Sequence, residues 1–203
     1  MKLLFSDTSP YARKCGVVAH EKGLTDRIEI ERVNPFETDF HEVNPLNKVP
    51  CLVLEDGPSL FDSLVICDHL DRLGEGDPLI PAGGVDRDRV LRLHAIGQGA
   101  TDAALFLRAQ VMRDAKLDTP LPKDWFIDRQ WSAIQRSCKL LDQEIDSLQG
   151  ALDLGQISVA TALGYLDLRF PESAWRHHAP KLAVWYESIS HRPSMQATVT
   201  VPE

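Results

Sequence analysis

One stretch of Gly and Pro, Gly74 to Asp86 (GEGDPLIPAGGVD), limits the fold more than any other feature. It has no hydrophobic period and is dense in residues that interrupt helices and strands, so it reads as a linker. Before it, strand-like and helix-like segments alternate. After it, nearly every segment carries helical spacing. The chain therefore divides into residues 1–75, a small α/β domain, residues 76–86, a linker, and residues 87–203, an all-helical domain. No internal repeat or low-complexity tract is present.

In the first region Lys2 to Phe5 reads as a short buried strand. A helix over Pro10 to Lys22 follows, with Ser9 as N-cap, Pro10 at a position where its missing N–H needs no partner, and Gly23 as the stop. Ala12, Cys15, Val18 and Ala19 share one face of it. Arg27 to Val33 alternates polar and apolar, which predicts a strand. Pro50 to Leu54 predicts a third strand and Ser59 to Phe61 a fourth, joined by a turn at Glu55-Asp56-Gly57. Ser63 can cap a helix that runs to Leu73 and stops at Gly74. About 75 residues in the order β-α-β-loop-β-β-α are too few for a doubly wound domain, but they suit a small sheet faced by helices.

The second region opens with a helix over Asp86 to Lys116, weakened in its middle by Gly97 and Gly99 and broken by Pro120 and Pro122. A further helix spans Asp124 to Leu148, with Trp131, Ile134, Cys138, Leu141 and Ile145 at helical spacing. Asp153 and Gln156 have the spacing of a capping box ahead of the apolar run ISVATALGYL. A last short helix begins near Pro180 and ends before Pro193.

Lys and Arg total 22 against 30 Asp and Glu, a formal net charge of −8. That balance, with no block of basic residues, argues against nucleic acid and against an anionic membrane surface as partners. The first residues hold only Leu3 to Phe5 as an apolar run before Asp7, which is not a signal peptide. The expected location is the cytoplasm. Cys15, Cys51, Cys67 and Cys138 form no CxxC pair and no zinc-ligand spacing, so no metal is expected. Each reads as a small buried apolar residue.

Three motifs carry chemistry. Thr8-Ser9-Pro10-Tyr11-Ala12-Arg13-Lys14 lies on the turn from the first strand into the first helix, where free N–H groups and the helix dipole favour an anion. A dithiol oxidoreductase would have Cys-Pro-Tyr-Cys at this place. Ser9 and Ala12 stand at both cysteine positions, so thiol–disulfide exchange through this turn is unavailable. A serine hydroxyl there can instead donate a hydrogen bond to a bound thiolate. Asn44-Pro45-Leu46-Asn47-Lys48-Val49-Pro50 precedes the third strand. A cis Val49–Pro50 bond would turn the Val49 N–H and C=O outward for a peptide-like ligand. In Phe61-Asp62-Ser63, Asp62 can accept from an ammonium while Ser63 holds a carboxylate at a helix N-terminus. Taken singly, each of these is also read as an ordinary cap or turn.

Taken in order, the three motifs and the helical region resemble the glutathione S-transferase superfamily. Ala162-Leu-Gly-Tyr-Leu-Asp-Leu-Arg169 is similar to the core helix of one bacterial branch. The resemblance covers essentially the whole chain. It implies a thioredoxin-like N-terminal domain plus an all-α C-terminal domain, with glutathione as co-substrate on the first domain. A small hydrophobic electrophile would sit between the two, in a cytoplasmic homodimer that serves detoxification. Carried over, Ser9 would serve the thiolate, with Thr8 and Tyr11 as alternatives. Lys48 would reach the glycyl carboxylate, and Val49, with Pro50 cis, would pair with the cysteinyl backbone. Asp62 and Ser63 would hold the γ-glutamyl end. Asp62 is a methylene shorter than the family's frequent Glu or Gln. Lining candidates for the second site are His94, Gln98, Asp102, Arg108, Met112 and Tyr165. The resemblance leaves open a non-catalytic, GST-like protein that binds glutathione or a protein partner. Because glutathione is itself anionic, its site must be a basic island on an acidic surface, supplied by Lys48, the two helix N-termini and Arg13.

Overall fold

The computed structural model describes residues 1–34, 39–118 and 124–199. Pro120 and Pro122, read above as helix breakers, and residues 200–203 of the expected second domain lie outside that set. Strand β1 (Lys2–Phe5) sits at the centre of a three-stranded sheet. It pairs in parallel with β2 (Glu29–Arg32) and antiparallel with β3 (Cys51–Val53). Side chains alternate across the sheet. Leu3 and Leu52 enter the main core, while Leu4 and Cys51 pack with Phe40 on the opposite face. Helix α1 (Pro10–Glu21) makes the crossover between β1 and β2, and α2 (Ser63–Leu73) lies beside it.

The expected fourth strand is reduced to a single bridge between Leu52 and Leu60. Pro58 offers no N–H to extend the pairing, and the chain enters α2 three residues after Leu60. The second strand is also shorter than its alternation predicts, because Thr25–Arg27 forms a 3₁₀ turn. It is an edge strand, and Ile30 shares a face with its partner Leu3 but is left partly exposed.

Fixed contacts hold the Gly/Pro stretch that follows α2. The buried carboxylate of Asp71 accepts from Leu79 N and Ile80 N, both at 2.9 Å. The same carboxylate lies 3.1 Å from the buried Lys22 ammonium, which also donates to Asp77 O at 3.1 Å. Leu79 and Ile80 are thereby drawn into the core.

The helical region begins with α3 (Gly84–Asp114), two residues earlier than the sequence reading. Gly97 and Gly99 do not interrupt it. A Cβ on Gly97 would lie 2.6 Å from the Ser158 carbonyl carbon, so this glycine lets α3 press against α5 (Leu154–Arg169). Helix α4 (Trp125–Gln143), capped by Asp124, stops short of the predicted Leu148 and ends in a 3₁₀ turn over Ile145–Leu148. The capping box is formed: Gln156 N donates to Asp153 Oδ1 at 2.9 Å and Asp153 N to Gln156 Oε1 at 3.1 Å. Helix α5 is buried on almost every side. Three short elements close the chain: α6 (Trp175–His178), α7 (Pro180–Ser190) and α8 (Pro193–Ala197). The sequence reading found α7 but neither α6 nor α8, which are too short to show a period. Helix α8 docks on α1, where Arg192 and Glu21 pair at 2.8 Å. The architecture is the expected one, a small mixed-sheet α/β domain followed by an all-α domain.

Candidate functional site

Sheet register gathers the three motifs at one end of the sheet. Leu4 faces Cys51 across β1 and β3, and Leu52 faces Leu60. Continuing each register by one or two residues aligns Phe5, Pro50 and Asp62 at the same end of the sheet. The turn into α1, the loop into β3 and the start of α2 therefore meet there, and both helices present their N-termini.

Ser9 caps α1, its Oγ accepting from Ala12 N at 3.3 Å. Because the oxygen is the acceptor, the hydroxyl hydrogen remains free to donate. Tyr11 is differently engaged: its phenol donates to the Asp102 carboxylate on α3. Burial, then that hydrogen bond, raises its pKa far above the usual tyrosine value. It stays protonated and is committed to the helical domain. Thr8 is half-buried and lines the cavities on both sides of the turn.

The loop before β3 is organised by Asn44, whose role the sequence did not single out. Its side chain is buried and donates from Nδ2 to Lys48 O at 2.6 Å, while Oδ1 accepts from Leu46 N at 3.0 Å. Asn47 takes a positive φ of 50° and closes the turn. The Val49–Pro50 bond is cis. Lys48 is exposed and makes no ion pair among the described residues.

At the third motif it is Asp62, not Ser63, that caps α2; its Oδ1 accepts from Leu64 N at 3.0 Å. This leaves Oδ2 on an exposed side chain for a donor. Ser63 is the first helical residue, and its Oγ is buried with no hydrogen-bond partner. A hydroxyl with unused capacity at a helix N-terminus fits a carboxylate ligand.

Arg13 does not join the basic island. It is buried and donates to Met195 O at 3.2 Å, and its guanidinium lies against the Tyr186 phenol near Gly164. Of the second-site candidates, His94 and Gln98 hold the buried Lys14 ammonium, at 3.1 and 2.7 Å. Burial, then the Lys14 charge, lowers the His94 pKa to about 4. Asp102 is taken by Tyr11, and Met112 is exposed. Arg108, on α3, is half-buried, and Tyr165, on α5, is buried.

The protein's own thiols are poor nucleophiles. All four cysteines are free and buried. Burial raises the pKa of Cys15 and Cys51 and pushes that of Cys138 up to about 12. Among the described residues no group of three or more His, Cys, Asp or Glu side chains is placed to hold a metal ion. No helix there is long and apolar enough to cross a membrane.

Comparison with known proteins gives relatives along the whole chain. Residues 8–73 match the family model for the N-terminal domain of glutathione S-transferases, and residues 124–188 match that for the C-terminal domain. The uncharacterized GST-like protein YibF of Escherichia coli K12 is 31% identical over 98% of both chains. A glutathione transferase family member from Pseudomonas fluorescens Pf-5, solved with bound glutathione, is 40% identical. It covers 100% of this chain and 98% of its own, with a TM-score of 0.90. A glutathione S-transferase from Methylobacillus flagellatus KT, also solved with glutathione, is 36% identical over 98% of this chain and 99% of its own, with a TM-score of 0.85. On the two family models and these full-length similarities, the chain belongs to the glutathione S-transferase superfamily.

Proposed function

We propose that this protein is a glutathione transferase that activates the glutathione thiol for attack on a small hydrophobic electrophile. The observation that carries the reading is the shared end of the sheet, where a serine with a free hydroxyl hydrogen lies beside two helix N-termini. The relatives solved with glutathione bound support the choice of ligand.

In this reading the cysteinyl sulfur lies against Ser9. A free thiol has a pKa near about 8.5 and is mostly protonated at neutral pH. One hydroxyl hydrogen bond and the α1 dipole favour the thiolate, and a drop of about one to two pKa units is worth about 1.4 to 2.7 kcal/mol. The thiol proton passes to water. The thiolate pair forms a C–S bond, and the leaving group departs with the pair from the bond that breaks. Val49 N–H and C=O pair with the cysteinyl backbone. Lys48 meets the glycyl carboxylate. Asp62 takes the γ-glutamyl ammonium, and Ser63, after rotation about its Cα–Cβ bond, takes the neighbouring carboxylate.

The free cysteines fit a reducing compartment such as the cytoplasm. Phe106, Trp125 and Phe126 form an edge-to-face aromatic cluster, with Phe106 and Trp125 exposed. Such a surface suits coverage by a second copy of the chain.

The test is Ser9→Ala. Glutathione should still bind by titration calorimetry, while turnover of 1-chloro-2,4-dinitrobenzene should fall about tenfold or more. Unchanged turnover removes Ser9 from the role, and calorimetry without heat removes glutathione. Binding by the wild type with no turnover of any electrophile favours a binding protein over an enzyme.

A further inference from the structure

Two lysines are buried among the described residues, and only one has a counter-charge. Lys22 lies 3.1 Å from the Asp71 carboxylate. Lys14 is just as deeply buried, at 2% exposure. Among the described residues, lysine ion pairs are made by Lys2 and Lys22 and not by Lys14. Its Nζ donates to Gln98 Oε1 at 2.7 Å and to His94 Nε2 at 3.1 Å. Both partners are neutral, since burial, then the Lys14 charge, lowers the His94 pKa to about 4. A buried ammonium with only neutral partners is costly to hold, and an apolar side chain there would avoid the cost.

Position gives the charge a use. Tyr11 and Lys14 are three residues apart and share a face of α1, while His94, Gln98 and Asp102 recur every four residues on one face of α3. The two rows meet, Tyr11 on Asp102 and Lys14 on Gln98 and His94. This seam starts at the turn that carries Ser9. Asp102 is its carboxylate, and Asp62 stands nearby at the cap of α2, with a charge that reaches Tyr11 and His94. Tyr11 and Cys15 are held protonated by burial and add no charge. Arg13 turns away, toward Met195 O and the Tyr186 phenol. A carboxylate near a thiol disfavours its ionisation. On the proposed reading the glutathione ammonium meets Asp62, which leaves the Asp102 charge unbalanced beside the sulfur. Lys14 is the cation of the seam. Its backbone lies five residues, about 7.5 Å of helix, beyond the Ser9 cap, and helical side chains lean back toward the N-terminus.

We propose that Lys14 is a positioning residue of the thiolate site, whose buried charge offsets Asp102 and favours the ionised glutathione sulfur at Ser9 without touching the ligand. This inference rests on the transferase reading and adds to it a balancing charge. Being buried, that charge is little screened by salt, unlike the exposed Lys48.

The experiment follows the thiolate of bound glutathione by its ultraviolet absorbance across a pH series. The pH profile of kcat/KM for 1-chloro-2,4-dinitrobenzene is recorded beside it. Lys14→Met removes the charge. Gln98→Glu keeps the shape of the 2.7 Å partner and sets a carboxylate against the ammonium, which cancels the charge with Lys14 in place. Each should raise the ionisation midpoint of the sulfur by about one pH unit, the size expected of a unit charge about 8–10 Å away at an effective dielectric constant of about 20. The shift should persist at high salt, glutathione should still bind by calorimetry, and Lys14→Arg should stay close to the wild type. A purely structural role would lower stability and leave the midpoint in place. Midpoints that coincide with the wild type in folded, glutathione-binding variants overturn the proposal. So does a shift confined to one of the two folded variants, or one as large in Lys14→Arg as in Lys14→Met. If Lys14→Met does not fold, Gln98→Glu decides: a raised midpoint supports the proposal and an unchanged one overturns it. Failure of the wild type to bind glutathione overturns the transferase reading, and this inference falls with it.

Discussion

Tyr11 donates its phenolic hydrogen to the Asp102 carboxylate, so the turn that carries Ser9 is tied directly to the long helix of the second domain. Burial comes first and this bond second in raising the Tyr11 pKa. The sign follows: above about pH 10 the unfolded chain ionises this phenol and the folded chain does not. Stability should therefore fall as pH rises past about 10, by up to about 1.4 kcal/mol per pH unit from this group. Tyr11→Phe should flatten that alkaline slope in urea unfolding. It should also leave turnover far less affected than Ser9→Ala, because the phenol faces Asp102 and not the thiolate position. A variant as inactive as Ser9→Ala would instead put the phenol at the sulfur.

His94 contributes on the acid side. Its folded-state pKa is lowered to about 4 by burial and by the Lys14 ammonium. Between the unfolded value near 6.5 and about 4, the unfolded state binds the extra proton, so stability is full above that window and lost as pH falls through it. The shift corresponds to about 3 kcal/mol. His94→Gln keeps an acceptor for Lys14 but cannot titrate. Its urea midpoint should decline less steeply from pH 6.5 to 4 than that of the wild type. Parallel declines would show that His94 is not held neutral.

Gly97 and Gly99 look alike in the sequence and opposite in the structure. A Cβ at Gly97 would meet the Ser158 backbone at 2.6 Å, whereas nothing lies within 4 Å of one at Gly99. Gly97→Ala should destabilise by about 1–3 kcal/mol or more, since the obstacle is backbone that cannot rotate aside. Gly99→Ala should stabilise by about 0.5–1 kcal/mol through helix propensity. Thermal melts of the two variants read out the contrast, and the same sign in both would contradict the packing of α3 on α5.

That pair marks where the sequence stops being legible. Periods and caps show from local residues, so β1, α1, α2 and the Asp153 capping box were readable in place. The turns that carry the three motifs were readable too, because caps and Pro-flanked turns are local. What depends on which surface lies opposite was not: the close approach at Gly97, the burial of Arg13 under α8, the Lys22–Asp71 contacts that fix the linker, and the Asn44 amide inside its loop. Asp62 and Ser63 show the limit at one residue's resolution. Either can cap a helix, and only the backbone decides that Asp62 does so and leaves the Ser63 hydroxyl unused.

Lys48 tests the balance of charge. The chain carries −8, glutathione is anionic, and Arg13 is buried under α8, out of the basic island. On the proposed reading, the charge offered to glutathione is then Lys48 together with the helix N-termini of α1 and α2. An exposed ammonium contributes little in salt but more when screening is weak, because the Debye length grows from about 8 Å at physiological strength to about 30 Å at 0.01 M. Lys48→Ala should weaken glutathione binding by about three- to tenfold at low salt and less at physiological salt. Across a salt series the wild type should lose affinity more steeply than the variant, the two lines converging as screening removes the term the mutation deleted. Parallel lines would mean that the helix N-termini alone overcome the acidic surface.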